Sequence, residues 1–322
     1  MSAETIHRAR NPAPFHAGEM HAQERAGVRS QMEKIGGAVL RSYMPEQHRA
    51  FFPLLPTLFL GAADAAGDLW ATMLWGTPGF VRSPDETTLR IDARLQPDDP
   101  LFASTRADVQ VGLLGLQFET RRRNRANGRI ASTDERGFDF ALRQSFGNCP
   151  KYIQTREPLA ILSTKTAGPA VAGDGALPDA AAALIRRSDT FFIATAAGRA
   201  SGAAHGVDVS HRGGRPGFVH IDAQGAMCWP DFQGNNFFNT IGNLVADGRA
   251  GLLFIDFERG DLLHLSGRAE VVWNGADVES FAGAKRLLRF NTTRHLFRLG
   301  ALPLRWGLCE QSPHLDTTGT WP

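Results

Sequence analysis

Cysteine is scarce in this 322-residue chain. Cys149, Cys228 and Cys309 are the only three, they are far apart, and no pair has the two-residue separation of a redox or zinc motif. Neither a disulfide framework nor a structural zinc site is suggested, and a reducing cytoplasm is the expected compartment. No apolar run approaches the ~18 residues needed to cross a bilayer. The first ten residues are polar and have no apolar core of a signal peptide. Charge of one sign is also lacking. The 35 basic residues nearly balance 33 acidic ones for a net charge of +2, which removes any general case for a nucleic-acid or membrane partner. The glycine fingerprint of a Rossmann dinucleotide site is missing, so a nicotinamide would have to dock transiently or a separate reductase or electron donor would be needed. His205, His211 and His220 show no metal-ligand spacing, and no metal site is expected.

What the chain does contain is internal likeness. Val111-Gly-Leu-Leu-Gly-Leu-Gln-Phe-Glu119 aligns without gaps on Ala250-Gly-Leu-Leu-Phe-Ile-Asp-Phe-Glu258, 139 positions later. Carried on to Gly128-Arg129 and Gly267-Arg268, the block has 7 identities in 19 positions. Pro78-Gly-Phe80 and Pro216-Gly-Phe218 form a second anchor, and Thr57-Leu-Phe-Leu60 and Thr190-Phe-Phe-Ile193 a third. The pattern predicts one β-domain used twice, a pseudo-dimer in one polypeptide whose copies can diverge into unequal roles.

The texture along the chain fits that reading. Residues 1–50 read as an extended arm (1–16) followed by helices. From 57 onward short apolar or alternating segments are separated by Gly, Pro, Asp and Asn, the signature of a barrel or sandwich. Residues 51–162 are read as a first barrel with a crossover over 138–162, 163–180 as a linker, 181–306 as a second barrel and 307–322 as a C-terminal tail. Helices are expected near 100–107, 178–187, 235–246 and 277–299. The fold class is therefore mainly β with peripheral helices, two small barrels in tandem.

Three clusters could carry chemistry. Gly234-Asn235-Asn236 precede an apolar helix with no acidic residue in its first turn, so free backbone N–H groups and the helix dipole suit an anion. Asn236, Asn239, Thr240 and Asn243 add side-chain donors at helical spacing; the plainer reading is that Asn235 or Asn236 is simply an N-cap. The matching place in the first copy carries Asp98 and Asp99, which would repel a phosphate. The turn containing Ser210, His211 and Arg212 is glycine-rich and holds a guanidinium able to grip phosphate bidentately. In Glu119-Thr-Arg-Arg-Arg-Asn-Arg125, Arg123 and Arg125 share one strand face, where the second copy is mostly apolar. Such asymmetry is expected if both copies complete one site. Cys149, near Tyr152, is read as a small buried hydrophobe rather than a reactive thiol.

The strand order, the Gly-Arg strand endings and the Asn-rich helix start resemble the FMN-binding split barrel of the pyridoxamine 5′-phosphate oxidase superfamily. Phe15-His-Ala-Gly-Glu19, Pro78-Gly-Phe80, residues 121–128, Ser145-Phe-Gly-Asn-Cys-Pro-Lys-Tyr-Ile153 and residues 235–243 are similar to a bacterial tandem-barrel branch of flavin-nucleotide-binding proteins. Arg122-Arg-Asn-Arg-Ala-Asn-Gly128 matches the family's Arg-x-x-Arg-x-x-Gly strand. Its Arg-x-x-Leu-Leu-Lys strand is replaced by Asp208-Val-Ser-His-Arg212 and its Ser-Arg-Lys helix start by Asn235-Asn236, so vitamin B6 oxidation is not implied. The resemblance implies FMN as cofactor, with Ser210, His211, Arg212, Asn235, Asn236, Asn239, Thr240, Arg123 and Arg125 around it. It implies an oxidoreductase on an unidentified small molecule, with Arg123, Arg125 and His264 as candidates to position an anionic substrate. The alternatives are a non-catalytic flavin carrier or sensor, or a degenerate barrel binding haem or deazaflavin. A homodimer is left open.

Overall fold

The computed structural model describes residues 14–161, 168–198 and 205–321. The expected N-terminal arm, up to residue 13, lies outside the described residues, as do residue 162 and residues 163–167 of the expected linker. The chain enters through three helices, α1 (Ala17–Arg25), α2 (Arg29–Val39) and α3 (Glu46–Arg49). His16 and Glu19 close a capping box on α1: His16 Nδ1 accepts from Gly18 N at 3.2 Å and Glu19 Oε2 accepts from His16 N at 2.9 Å. Gly36 and Gly37 do not break α2; a Cβ on Gly36 would strike the Phe15 ring.

Seven antiparallel strands follow: β1 (Thr57–Ala63), β2 (Leu69–Trp75), β3 (Val81–Asp85), β4 (Thr88–Ile91), β5 (Gln110–Gln117), β6 (Arg122–Thr133) and β7 (Phe138–Gly147). They lie in the order β2-β1-β5-β6-β7-β4-β3. After β8 (Thr155–Ile161), β9 (Ala170–Asp174) and helix α4 (Asp179–Arg187), a second set begins. It comprises β10 (Thr190–Ala197), β11 (Gly206–Gly213), β12 (His220–Ile221), β13 (Met227–Asp231), helix α5 (Asn239–Ala246), β14 (Arg249–Ile255), β15 (Leu262–Val272), helix α6 (Ala276–Ser280), β16 (Arg286–Arg298) and β17 (Leu304–Glu310). The second path runs β11-β10-β14-β15-β16-β13-β12, the first order repeated strand for strand. The fold is mainly β with its helices outside the sheets, as the strand spacing predicts.

Three apolar clusters explain the packing. Leu58, Leu60, Val111 and Leu113 fill the first sheet's interior, and Phe191, Ile193, Leu252 and Phe254 fill the second's. The alternate residues of the same strands, Phe59, Leu114, Phe192 and Leu253, form a third cluster between the two sheets. Period-2 alternation thus buries both faces of these strands, one in its own barrel and one against the other barrel.

Two elements differ from the sequence-based expectation. Residues 286–298 are a strand, not part of a helix over 277–299. The spacing of Phe281, Ala284, Leu287 and Leu288 looked helical because a turn, Ala284 N to Phe281 O at 3.1 Å, separates α6 from a strand whose Leu287 and Leu288 are both buried. Residues 100–107 hold only a 3-10 turn, Phe102–Ser104. Three segments read as connectors or tail also have partners. β7 opens the expected crossover over 138–162 but is a full strand of the first sheet, between β6 and β4. β9, within residues 163–180, pairs with β16, and β17 pairs with β8. Beyond β17, Trp321 Nε1 donates to Phe218 O at 2.8 Å.

Candidate functional site

The site begins with a strand alternation. Arg123 and Arg125 on β6 point the same way, across the seam towards β11. Arg125, 5% exposed, donates from Nη1 to both carboxylate oxygens of Asp208, at 3.1 and 2.8 Å, and to Asn239 Oδ1 at 3.3 Å. Its Nη2 donates to Ser210 Oγ, which in turn lies 2.9 Å from Thr240 Oγ1. A buried ion pair across the seam therefore locks the arginine strand of the first barrel to the Ser-His-Arg strand of the second.

This junction forms one wall of a cavity of about 310 Å³. Ser210 and Arg212 of β11, Asp231 at the end of β13, the loop 232–238, the first turn of α5, Lys285 and Arg286 before and at the start of β16, and Ala26 and Val28 between α1 and α2 complete it. The loop is held in an unusual shape. Asn236 and Phe238 both have left-handed backbone, with φ of 62° and 63°. Asparagine tolerates that region, but phenylalanine is strained there. The Arg286 guanidinium lies 4.7 Å from the centre of the Phe238 ring. Phe238, not Asn235 or Asn236, occupies the N-cap of α5. Asn235 instead braces the loop: its Oδ1 accepts from Phe237 N at 3.1 Å and its Nδ2 donates to Asn148 Oδ1 at 3.0 Å.

Behind α5 stands α1. A Cβ on Gly18 would come within 2.2 Å of Gly242 O, so the two helices meet backbone to backbone. That approach brings Glu19 Oε1 to Asn239 Nδ2 at 2.6 Å and His16 Nε2 to Asn243 Oδ1 at 2.9 Å. Burial pushes the Glu19 carboxyl up to about 8, against the opposing effect of its hydrogen bonds from His16 N and Asn239. Asn239 and Asn243 are thus committed to α1 on one side while Asn239 faces the cavity on the other.

Positive charge in and around the cavity is under-compensated. Asp231 lies between Arg212, at 3.6 Å, and Arg286, at 3.3 Å. Arg125 Nε, Arg212 Nε and Arg286 Nη1 have no hydrogen-bond partner among the described residues. Guanidinium donors left this way next to a cleft fit an oxyanion such as a phosphate. Arg212 also borders a smaller adjoining chamber that Arg123 and His211 line. There the Arg123 guanidinium donates to Cys149 O.

Of the residues singled out in the sequence, Arg125, Ser210, Arg212, Asn235, Asn236, Asn239 and Thr240 meet around one cavity, and Arg123 and His211 lie beside it. His264 does not join them. It is fully buried between the sheets, with Nδ1 3.1 Å from Ala71 O. Sequence reasoning missed Asp208 as the partner of Arg125, and Lys285 and Arg286, which were hidden inside a supposed helix. It also assigned no role to Glu19.

Residues 177–299 match the family model described as pyridoxamine 5′-phosphate oxidase. Over that span the second half of the chain is similar to the pyridoxamine 5′-phosphate oxidase family. This oxidase-related domain supplies Ser210, Arg212 and the loop before α5. Arg123 and Arg125 lie outside it, in the first sheet. No curated protein matches the chain. Among solved structures, HupZ of Group A Streptococcus is similar at 16% identity and a TM-score of 0.31, over 39% of this chain and 97% of that one. The K. pneumonia MrkH–c-di-GMP complex is similar at 9% identity and a TM-score of 0.19, over 74% of this chain and 78% of that one.

Proposed function

We propose that the chain is a duplicated split barrel that binds one flavin mononucleotide at the seam and acts as a flavin-dependent oxidoreductase on a small molecule. The observation that carries this reading is the reach of Arg125 from the first sheet to Asp208 and Ser210 of the oxidase-related domain, beside guanidinium nitrogens that have no hydrogen-bond partner among the described residues. Arg212, Arg286 and Lys285 would hold the phosphate, with donors of the 234–240 loop around it. Ser210 and Thr240 would be oriented by Arg125. The cavity lies at the lower end of the ~300–1,000 Å³ range of small-molecule sites, enough for the phosphate and polyol arm of a mononucleotide. When bound, the flavin would supply the hydride or electron chemistry, and the protein binding and orientation.

The residues themselves do three things here. The Arg125–Asp208 pair fixes the seam and keeps Ser210 aimed at Thr240. Glu19, held uncharged at neutral pH by burial, supports Asn239 without adding a negative charge near the phosphate. The left-handed loop at Asn236 and Phe238 holds the backbone around the cavity.

The test is direct. The purified chain is expected to be yellow or to take up FMN, and Arg212→Ala to lose roughly 1.5–3 kcal/mol of FMN affinity, the worth of a charge-assisted bond. Unchanged FMN affinity in that variant would remove Arg212 from the phosphate site. Reduction of the bound flavin by NADH or NADPH, followed by oxygen turnover, would support the oxidoreductase. A flavin inert to both donors would favour a carrier or sensor.

A further inference from the structure

The chamber beside the main cavity has its own chemistry. Its volume is about 60 Å³, and it is lined by Arg123 of β6, Lys151 and Tyr152 of the segment leaving β7, and His211 and Arg212 of β11. On this measure one water needs about 10–15 Å³, so the space holds more than a single water and suits a small group such as a carboxylate or phosphoryl. Three cations line it against a single carboxylate, Asp231, which Arg286 also engages. His211 is 4% exposed, and its Nε2 has no hydrogen-bond partner among the described residues. Arg123 Nε is likewise unpartnered among them, and that guanidinium donates to a neutral carbonyl, Cys149 O.

Leaving these donors unmet is costly inside a protein. An unsatisfied buried polar group costs about 1–3 kcal/mol, more when charged. Burial and the neighbouring Arg125 and Arg212 charges push the Arg123 pKa down, the direction expected of a cation lacking a counter-charge. Burial and Arg123 push His211 down as well, leaving a neutral imidazole that can turn either a donor or an acceptor towards the chamber.

We propose that this chamber is a second anion subsite, separate from the phosphate site of the larger cavity, which takes the carboxylate or phosphoryl group of a small second ligand. The two subsites share Arg212, so the second ligand would lie directly beside whatever fills the larger cavity. This assignment stands on the chamber's own donors and does not depend on the larger ligand being a flavin.

Cys149, expected from the sequence to be buried, is part-exposed and lines the chamber, so it supplies a local reporter; Cys228, on β13, does not line it. The full chain, free of FMN and then saturated with it, is alkylated with iodoacetamide in the presence of inorganic phosphate or acetate. Modification of each cysteine is followed by mass spectrometry. At least one of the two anions is expected to slow modification of Cys149 about fivefold or more, with Cys228 unaffected, in both forms of the protein. Acetate alone protecting would identify a carboxylate subsite, phosphate alone a phosphoryl subsite. Lys151→Ala and Arg123→Gln should each abolish the protection, and a thermal melt checks that each variant is folded. Lack of protection by either anion in the wild-type chain, or protection that survives in folded Lys151→Ala and Arg123→Gln, would overturn the proposal. Failure of FMN to bind at all, with Cys149 still protected, would overturn the flavin reading and leave this one standing.

Discussion

The rings of Phe59 and Phe192 stack face to face, with centroids 3.6 Å and planes 15° apart. They are equivalent residues, the third of Thr57-Leu-Phe-Leu60 and of Thr190-Phe-Phe-Ile193. Each β1-type strand therefore delivers its outward-facing phenylalanine to its own counterpart, as equivalent residues meet across the two-fold axis of a symmetric dimer. Both rings are almost fully buried in the cluster between the sheets.

Phe192→Ala should consequently act on the seam rather than on either barrel interior. A buried phenylalanine cut to alanine costs about 3–5 kcal/mol. We expect a loss of this size in urea unfolding. A loss below about 1 kcal/mol would mean that the seam does not hold the sheets together.

The seam also explains why so much of the architecture was legible in the sequence. Gly112 and Gly251 are the glycines of the two aligned Gly-Leu-Leu segments. A Cβ on Gly112 would lie 2.7 Å from Val207 O, and one on Gly251 2.5 Å from Leu69 O. The same packing constraint acts at both places, so both retain the same residue. Where the copies face different surroundings, the likeness fades and so does the reading. β16 has both faces partly buried and begins with charged residues, so neither period 2 nor a clean boundary marks it. Lys285 and Arg286 were lost with it. The asymmetry of Arg125 was legible because charge on one strand and its absence on the twin is visible without structure. Its partner Asp208 was not, because only the fold brings them together.

Alanine at Gly112 or Gly251 forces carbon against backbone, which cannot swing aside. Each substitution should cost about 1–3 kcal/mol, as overpacking does. Gly147→Ala, whose added carbon meets nothing closer than 3.6 Å, should cost clearly less in the same denaturation assay. Equal costs at all three positions would contradict the backbone-contact account.

Glu19 predicts a pH dependence of stability. Its carboxyl is pushed up to about 8 in the folded chain, above its ordinary value of 4.5. Between those values the folded state binds more protons than the unfolded state. Stability should therefore fall as pH rises through this window, by an amount on the order of a few kcal/mol, and level off above it. Glu19→Gln keeps an uncharged hydrogen-bonding group and should flatten the decline between pH 5.5 and 8.5. A slope unchanged in Glu19→Gln would assign the dependence to another group.

The last prediction concerns the number of ligands. Arg125 and His264 occupy the same register position in the two sheets, Arg125 opposite Leu114 and His264 opposite Leu253. Arg125 opens onto the cationic cavity, but His264, at the matching place, is fully buried. Thr72, the counterpart of Ser210, donates to Asp99, and Arg298, 1% exposed, grips Asp98 at 2.6 Å and Asp99 at 3.1 Å. One guanidinium against two carboxylates leaves that place net negative, which repels a phosphate. FMN titration should therefore saturate at one per chain. Arg125→Lys keeps the charge but loses the fork to Asp208 and Ser210, and should weaken FMN binding about tenfold or more. His264→Ala should leave affinity within about threefold, since roughly 1.4 kcal/mol is needed for a tenfold change and His264 does not line the cavity. Two bound flavins, or a larger loss from His264→Ala than from Arg125→Lys, would show that the two halves had not divided the work in this way.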